Sequence, residues 1–528
     1  MGETANSRKG VMSKVFGVSG AVLLSRILGF FRVRLEAEIL GGGAVASAWH
    51  ISFLYANVFR RILGEGALGN ALMPIVAELD KKYGRESVKG ALAVVFPVLG
   101  AILALIVILC SAGAMIVGNL VSATENYQLR LIGVLMPILM PYAIFICLTG
   151  VITSVLNYAK CFVIPAFCSL LMNIFLVGGL TWGYFTRCSV EARSLEKFLV
   201  NLSLLFLISG VLQLGMMLIL LKKADFFPDF SRWRKHTDIL KKLWDLALPG
   251  LIGASALQIS LLVDRNIAQW VNDQAVSALT YVDRLIDLPI GLFAVGMGQV
   301  FMARMSASVA SGDLESLKED MNYGLRQVFF LSIPLACSVC FFHELMLKIL
   351  CLGGRYTMAD LNAARTVAIF YGSGIPFFCA LKIIQPAFFA RKDMKTPLYC
   401  SLTAIGINIV LSITLAFFLA QGGIALATVI SSCVNCFLLS FHLKKAGLVF
   451  DIREVGTTLL RSALAAVAAG VICKVLLDRF YTGSGRFFDI CALGVTGIVF
   501  GGIYLGIVIL GRGREFSEML GRFRKKNA

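Results

Sequence analysis

Long apolar runs separated by short polar connections dominate the pattern of this chain. A helix needs roughly 20 predominantly apolar residues to cross a bilayer, and fourteen windows reach that length. The pattern therefore predicts an all-α polytopic membrane protein with fourteen transmembrane helices. The approximate bounds of the predicted spans are 11–40, 45–78, 90–118, 128–158, 161–186, 195–222, 238–271, 274–308, 322–351, 360–390, 397–420, 422–443, 456–478 and 487–511.

Lysine and arginine are concentrated in alternate connections between the spans. Connections that carry almost none of these residues lie at 41–43, 123–127, 271–274 and 421–423, whereas 187–197 is an exception. The basic connections are 81–85, 222–242, 391–395 and 444–445, together with the tail 513–528. Because cytoplasmic loops of membrane proteins are enriched in lysine and arginine, the pattern predicts that both termini are cytoplasmic.

Two short segments recur along the chain. The segment 159–170 is echoed at 391–402, an offset of 232 residues, and Ala44–Ala48 is echoed at 275–278. We therefore predict two six-helix lobes of similar build, and repeated lobes around a substrate site are a transporter design. The predicted division is 1–223 for the first lobe, 237–447 for the second lobe, 454–512 for two appended helices and 513–528 for a cytoplasmic tail.

Composition agrees with a membrane protein and excludes several other classes. The chain is 58% hydrophobic and 15% charged, and its net charge is 49 − 31 = +18. The basic residues lie mainly in loops and tails, and no basic patch interleaved with aromatic residues suggests nucleic acid. The fourteen cysteines are scattered, and none recurs at zinc spacing. No catalytic motif is found, so we predict neither an enzyme nor a bound cofactor.

Charged residues inside the apolar windows are costly, about 2.5–3.5 kcal/mol for an arginine near the bilayer centre. Several have an acidic residue three or four positions away, on the same helix face. For these we predict local ion pairs or, in some cases, snorkelling to the interface. The pairs are Arg32–Glu36, Arg34–Glu38, Arg61–Glu65 and Arg284–Asp287.

Arg26 and Arg60 have no acidic residue at those spacings. Each therefore needs a partner on another helix, a water in a cavity or a ligand, and a cavity lined by guanidinium groups favours an anion. Lys382 also lacks a local acid, so we expect it to line the cavity or to meet a carboxylate across it. Arg130 and Arg304 lie near the ends of spans, where we expect their side chains to snorkel.

Four motifs resemble a known family. These are Ser25-Arg26-Ile-Leu-Gly-Phe-Phe-Arg32, Phe59-Arg60-Arg61-Ile-Leu-Gly-Glu65-Gly, Tyr281-Val-Asp283-Arg284-Leu and Arg391-Lys-Asp-Met-Lys395-Thr-Pro397. Together they resemble the MurJ (MviN) lipid II flippase family of the multidrug/oligosaccharidyl-lipid/polysaccharide exporter superfamily. The likeness runs over most of the chain. It departs from the family pattern at Ser47, at Ala56 and at Met302-Ala303-Arg304.

The resemblance implies two lobes around a central cationic cavity, and a groove for a polyprenyl tail formed with the helices of 454–512. It assigns substrate binding to Arg26, Arg32, Arg60 and Arg284. We expect the gating residues or charge partners to be Glu65, Asp283, Asn57 and Lys382. Some family members bind sodium, and the matching positions are Asp264, Asn408, Ser412 and Thr428, where Ser412 replaces an acid.

The implied function is to flip lipid II from the inner to the outer leaflet of the bacterial cytoplasmic membrane by alternating access. A sodium ion, a proton or the membrane potential would drive the cycle. The expected partners are lipid II, membrane lipids and the cell-wall synthesis machinery. The alternatives are a flippase for another polyprenyl-pyrophosphate-linked glycan, a drug/cation antiporter of the same superfamily, and a scaffold that transports nothing. An antiporter would favour carboxylates over arginines in its cavity.

Overall fold

The computed structural model describes residues 20, 23–64, 67–121, 126–161, 163–186, 192–231, 238–448, 451–481, 485–511 and 515. Within these ranges, regular secondary structure is helical, and the only bridge is an isolated antiparallel one between Gly353 and Tyr356. The predicted all-α fold is confirmed. Apolar runs form helices because the bilayer offers the backbone no water, whereas a helix satisfies its own amides and carbonyls.

Contacts divide the chain into two units. The first unit contains the described residues up to Arg265 together with Gly353–Tyr356, and the second contains Asn266–Leu352 and the described residues from Thr357 onward. The predicted second lobe began at 237, whereas the described residues 238–265 contact the first unit. The two appended helices of the prediction fall within the second unit.

The first unit has a large apolar core at whose centre the aromatic rings of α2, α6 and α8 meet. Trp49, Tyr142 and Phe206 are fully buried there, and the ring centroids of Tyr142 and Phe206 are 3.9 Å apart. The helices that begin in this unit are α1 (23–40), α2 (Ala44–Phe59), α3 (Ala67–Tyr83), α4 (Arg85–Val121), α5 (Tyr127–Leu139), α6 (Tyr142–Tyr158), α7 (Val163–Phe185), α8 (Ala192–Lys223) and α9 (Asp238–Val271).

The second unit is built around α12, which packs along α13 and α16. Its helices are α10 (Ala275–Pro289), α11 (Val295–Ala310), α12 (Leu314–Leu350), α13 (Met358–Ala390), α14 (Lys395–Leu419), α15 (Gln421–Lys445), α16 (Ile452–Phe480) and α17 (Arg486–Leu510). The approach of α16 to α12 requires Gly470, since a Cβ there would lie 2.4 Å from the ring of Phe341. Tyr504 of α17 donates to the carbonyl of Phe330 at 2.7 Å.

Two predicted spans are each divided by a π-helical segment. Arg60–Gly64 lies between α2 and α3, and Ile290–Ala294 joins α10 to α11. Their starts are 290 − 60 = 230 residues apart, close to the offset of the sequence echo. Among the described residues, nine helices are long and apolar enough to cross a membrane, or ten if the bent pair α5–α6 is one span. The count of fourteen remains a prediction.

The internal echo is matched by the local backbone at two pairs of helix ends. Lys160 follows α6 and Lys392 follows α13, with φ of 60° and 62°. In both turns the next amide donates to the carbonyl five residues earlier, at 2.8 and 3.0 Å. Asp225 after α8 and Gly447 after α15 repeat the arrangement, with φ of 60° and 78°. The ends of α6 and α8 in the first unit therefore have the same geometry as the ends of α13 and α15 in the second unit.

Candidate functional site

The polar groups of α1 meet one buried amide on α7. Asn173, which is 6% exposed, donates to the hydroxyl of Ser25 at 3.2 Å and accepts from Nη1 of Arg32 at 3.3 Å. One side chain thus holds positions two helical turns apart on α1. Sequence reasoning missed Asn173, although an asparagine within the apolar run of α7 signals an interhelical hydrogen bond.

Arg32 is buried, and its charge is compensated within the first unit. Its Nε lies 3.4 Å from Oε1 of Glu36, and its guanidinium stacks over the ring of Phe53 at 5.0 Å. The same carboxylate oxygen accepts from Nε1 of Trp49 at 3.3 Å. The side chains of Arg32 and Glu36 are only 7% and 4% exposed. The predicted local pair is confirmed, and α2 supplies both an aromatic face and an indole to it.

Arg26 lies on α1 between the two positions that Asn173 holds. Its side chain is exposed, and it makes no ion pair with any described residue. The hydrogen bonds to Ser25 fix the backbone immediately before it. The exposed cation of Arg26 therefore lies on a helix turn that the contact between Asn173 and Ser25 holds in place.

Arg60 is the first residue of the π-helical segment after α2. Its Nε donates to Oδ1 of Asn57 at 3.3 Å, and Nδ2 of Asn57 donates to the carbonyl of Phe53 at 3.0 Å. Phe53 is also the residue whose ring carries the Arg32 guanidinium. Arg60 is half-buried and Asn57 is buried. Asn57 therefore contacts Arg60, and π-segments are frequent at functional sites. The gating or charge-partner role of Asn57 remains a prediction.

The other predicted pairs differ in strength. Arg34 and Glu38 form a close pair, with Nη2 and Oε2 2.6 Å apart. The Arg284–Asp287 pair of α10 is loose, at 3.9 Å, and its side chains are 39% and 67% exposed. An exposed pair of that geometry contributes little. Glu65, the predicted partner of Arg61, lies outside the described residues.

Two residues of the second unit were expected at the cavity. Asp283 is half-buried on α10, next to Arg284. Lys382 is exposed on α13 and makes no ion pair with the described residues. Its carbonyl lies 2.7 Å from where a Cβ on Gly298 would be, so α11 and α13 approach closely at this glycine. A cavity role for either side chain remains a prediction.

Arg130 and Arg304 reach carboxylates on neighbouring helices, in addition to lying near helix ends. Nη2 of Arg130 lies 2.8 Å from Oε1 of Glu196, and Arg304 pairs with Asp320. Both guanidinium groups also lie over aromatic rings of their own helices. Snorkelling alone is therefore an incomplete description, because each side chain links two helices.

The residues of the expected sodium site lie on three helices. Asp264 is buried on α9 in the first unit, and Asn408 and Ser412 are buried on α14 in the second. Thr428 is half-buried on α15, where Oγ of Ser431 donates to Oδ1 of Asn408 at 3.4 Å. Polar side chains therefore join α14 to α15. No group of three histidine, cysteine, aspartate or glutamate residues able to hold a metal occurs among the described residues. The sodium site remains a prediction.

Comparison with known proteins gives the chain a family. The family described as "Lipid II flippase MurJ" matches residues 36–490. A Rhizobium tropici protein named "Probable lipid II flippase MurJ" is 30% identical over 471 residues, covering 88% of this chain and 86% of that protein. The chain belongs to this family, as its arginine motifs suggested.

Solved structures show the same fold. The structure titled "Lipid II flippase MurJ, inward closed conformation" has a TM-score of 0.75 at 24% identity and covers 94% of this chain and 98% of that chain. A multidrug resistance MATE family transporter of the MOP superfamily, in an inward-facing conformation, has a TM-score of 0.61 at 14% identity, covering 86% and 96%. The chain therefore has the fold of these two solved transporters, as a multi-pass membrane protein.

Proposed function

We infer that this chain, as a member of the lipid II flippase family, moves lipid II across the bacterial cytoplasmic membrane and is a transporter, not a catalyst. The family match over residues 36–490 carries this conclusion. The sugar–peptide head of such a lipid is strongly polar, and burying polar groups without partners costs several kcal/mol. A protein path that replaces water around the head group removes that barrier while the polyprenyl tail stays in the lipid, in the groove expected from 454–512.

The pyrophosphate of the substrate binds Arg26, Arg60 and Arg284. Guanidinium groups suit this role because they keep their charge in a low dielectric and bind phosphate oxygens bidentately. Support comes from the exposed side chain of Arg26, from the π-segment position of Arg60 and from the loose pair of Arg284. Arg32 positions α1, because it is buried among Glu36 and other partners of its own unit.

The protein works by alternating access with both termini in the cytoplasm. The loop charges support that orientation. A sodium ion at Asp264, Asn408, Ser412 and Thr428, a proton, or the membrane potential resets the carrier. Moving one charge through 100 mV supplies about 2.3 kcal/mol. The cell-wall synthesis machinery is the expected recipient of the flipped lipid.

Complementation tests this function. Cells depleted of their own lipid II flippase receive this protein, or its Arg60→Ala or Arg284→Ala variant, and lipid II at the outer surface is measured. The parent protein should restore outer lipid II and growth, whereas each variant should lose at least ten-fold in rate. Arg130→Ala is the matched control and should retain activity, because Arg130 forms an ion pair with Glu196.

The outcomes separate the alternatives. If the inserted parent protein fails to restore outer lipid II, lipid II is not its substrate. A flippase for another polyprenyl-pyrophosphate-linked glycan would then still depend on Arg60, since the pyrophosphate is shared. Full activity of the Arg60→Ala and Arg284→Ala variants would refute the arginine mechanism. If the parent protein restored growth without restoring outer lipid II, a scaffold that transports nothing would be favoured.

A further inference from the structure

Two cations contact one carboxylate near the end of α12 in the second unit, and a third cation lies on the neighbouring helix α16. Nζ of Lys348 lies 2.9 Å from Oε1 of Glu344, and Nη2 of Arg365 lies 3.6 Å from Oε2. Lys474 lies on α16, which packs against α12, and it pairs with Asp478 at 2.8 Å. Three cations and two carboxylates leave an excess positive charge on a surface formed by three helices. The flippase mechanism proposed above uses none of these residues.

The cluster lies at one depth. Glu344 is six residues from the end of α12, Arg365 seven from the start of α13, and Lys474 six from the end of α16. At 1.5 Å per residue each position is about 10 Å inside its helix end. In the proposed orientation this end faces outward, where lysine and arginine are normally scarce, so a net positive charge at this end is unusual.

A buried imidazole in the same cluster has an unused nitrogen. His343 is 6% exposed, and its Nδ1 lies 2.9 Å from the carbonyl of Cys340. Its Nε2 has no hydrogen-bond partner among the residues that the structure describes. His343 immediately precedes Glu344 on α12. Buried polar atoms normally have partners. An oxygen-rich ligand at the cluster, or a water it holds, supplies one.

The surface beside the cluster points to a lipid as the ligand. An exposed apolar stripe runs along α16 towards Lys474, at positions spaced three or four residues apart. The stripe consists of Leu460, Leu464, Val467, Val471 and Val475, which are 47–64% exposed. An acyl or polyprenyl chain on this stripe would bring its own phosphate to the lysines and the arginine. A free phosphate would gain nothing from the stripe.

We propose that Lys348, Arg365 and Lys474 form an outward-facing binding site for the phosphate group of a lipid. The site rests on the orientation given under Proposed function and is separate from the arginines assigned there. Two sources share this chemistry: an anionic phospholipid of the outer leaflet and the polyprenyl pyrophosphate of a newly flipped substrate. The second would make the cluster a release site for the product.

Native mass spectrometry of the purified full-length protein in detergent tests the site. The protein is titrated separately with phosphatidylglycerol, with undecaprenyl pyrophosphate and with zwitterionic phosphatidylethanolamine. The Lys348→Gln/Arg365→Gln/Lys474→Gln variant should bind phosphatidylglycerol at least ten-fold more weakly or should lose one bound undecaprenyl pyrophosphate, with little change for phosphatidylethanolamine. Undecaprenyl pyrophosphate is counted as bound molecules because the arginines of the proposed transport site still hold one. Lys318→Gln is the matched control, because that lysine faces a single exposed carboxylate, Glu315.

Each result decides the proposal. A loss confined to phosphatidylglycerol supports the site and identifies the phospholipid as its ligand, whereas a loss of undecaprenyl pyrophosphate binding supports product release. Unchanged binding of both lipids by a triple variant that melts like the parent would overturn the site. Because binding in detergent does not depend on transport, such a failure leaves the flippase function standing. Conversely, failed complementation by the parent leaves the lipid site intact.

Discussion

Replacing Glu36 with leucine should destabilise the protein strongly, because the buried guanidinium of Arg32 then has no carboxylate to compensate its charge. The side chains are 4% and 7% exposed, so water cannot take over the role of the carboxylate. Removing one partner of a buried ion pair costs about 3–5 kcal/mol. The loss should lie near 3 kcal/mol, because Asn173 and the ring of Phe53 still hold the guanidinium.

Unfolding of the purified protein in mixed micelles of mild detergent and dodecyl sulfate measures this free energy. The control is Glu315→Leu, whose carboxylate is 75% exposed and pairs with Lys318. An exposed pair of this kind contributes below about 1 kcal/mol. If Glu36→Leu costs no more than this control, the burial argument is refuted and the Arg32 guanidinium must be solvated in the native protein.

The double variant Arg32→Leu/Glu36→Leu separates structure from transport. Replacing a whole buried pair by apolar side chains is often neutral, so the stability of this variant should lie within about 2 kcal/mol of the parent. The remaining loss comes from the side-chain carbonyl oxygen of Asn173 and the indole N–H of Trp49, which lose their partners. If Arg32 only positions α1, this variant should restore outer lipid II in depleted cells. A stable variant without flipping would instead make Arg32 a substrate ligand.

Three further changes test the fold. Asn173→Leu should lower the free energy of unfolding by about 1–3 kcal/mol, because it removes two buried hydrogen bonds. Gly41→Ala should lower the melting temperature and Gly43→Ala should not, because Gly41 has φ +78° and a Cβ there would lie 2.8 Å from a backbone carbonyl, whereas Gly43 faces open space. Replacing Lys160 or Lys392 with glycine should raise the free energy of unfolding by up to about 1 kcal/mol for each substitution in the same micelle assay, since both residues have φ near 60°.

Local pattern predicted what depends on local geometry. Apolar windows identified helices, and spacings of three or four residues identified the pairs of Arg32 and Arg34, because neighbours on a helix face are fixed by the helix itself. The bond between Arg32 and Asn173 joins residues 141 positions apart, and no short-range pattern contains it. The π-segment starting at Arg60 was missed for another reason: it changes the hydrogen-bond register and leaves the apolar character of the window unchanged.

The same spacing rule predicted local pairs for Arg32 and Arg284, and burial is the reason that we propose different roles for them. Arg32 and its acid are shielded from water, so their attraction is strong and the arginine is committed to its own helix. Arg284 lies 3.9 Å from an acid that is 67% exposed, so this pair is loose. We propose that a phosphate can compete with the acid for the guanidinium. An acid nearby in sequence therefore does not disqualify an arginine from anion binding. Competition between that acid and the ligand decides whether the arginine binds the ligand. We therefore keep Arg284 in the proposed pyrophosphate site, together with Arg26 and Arg60.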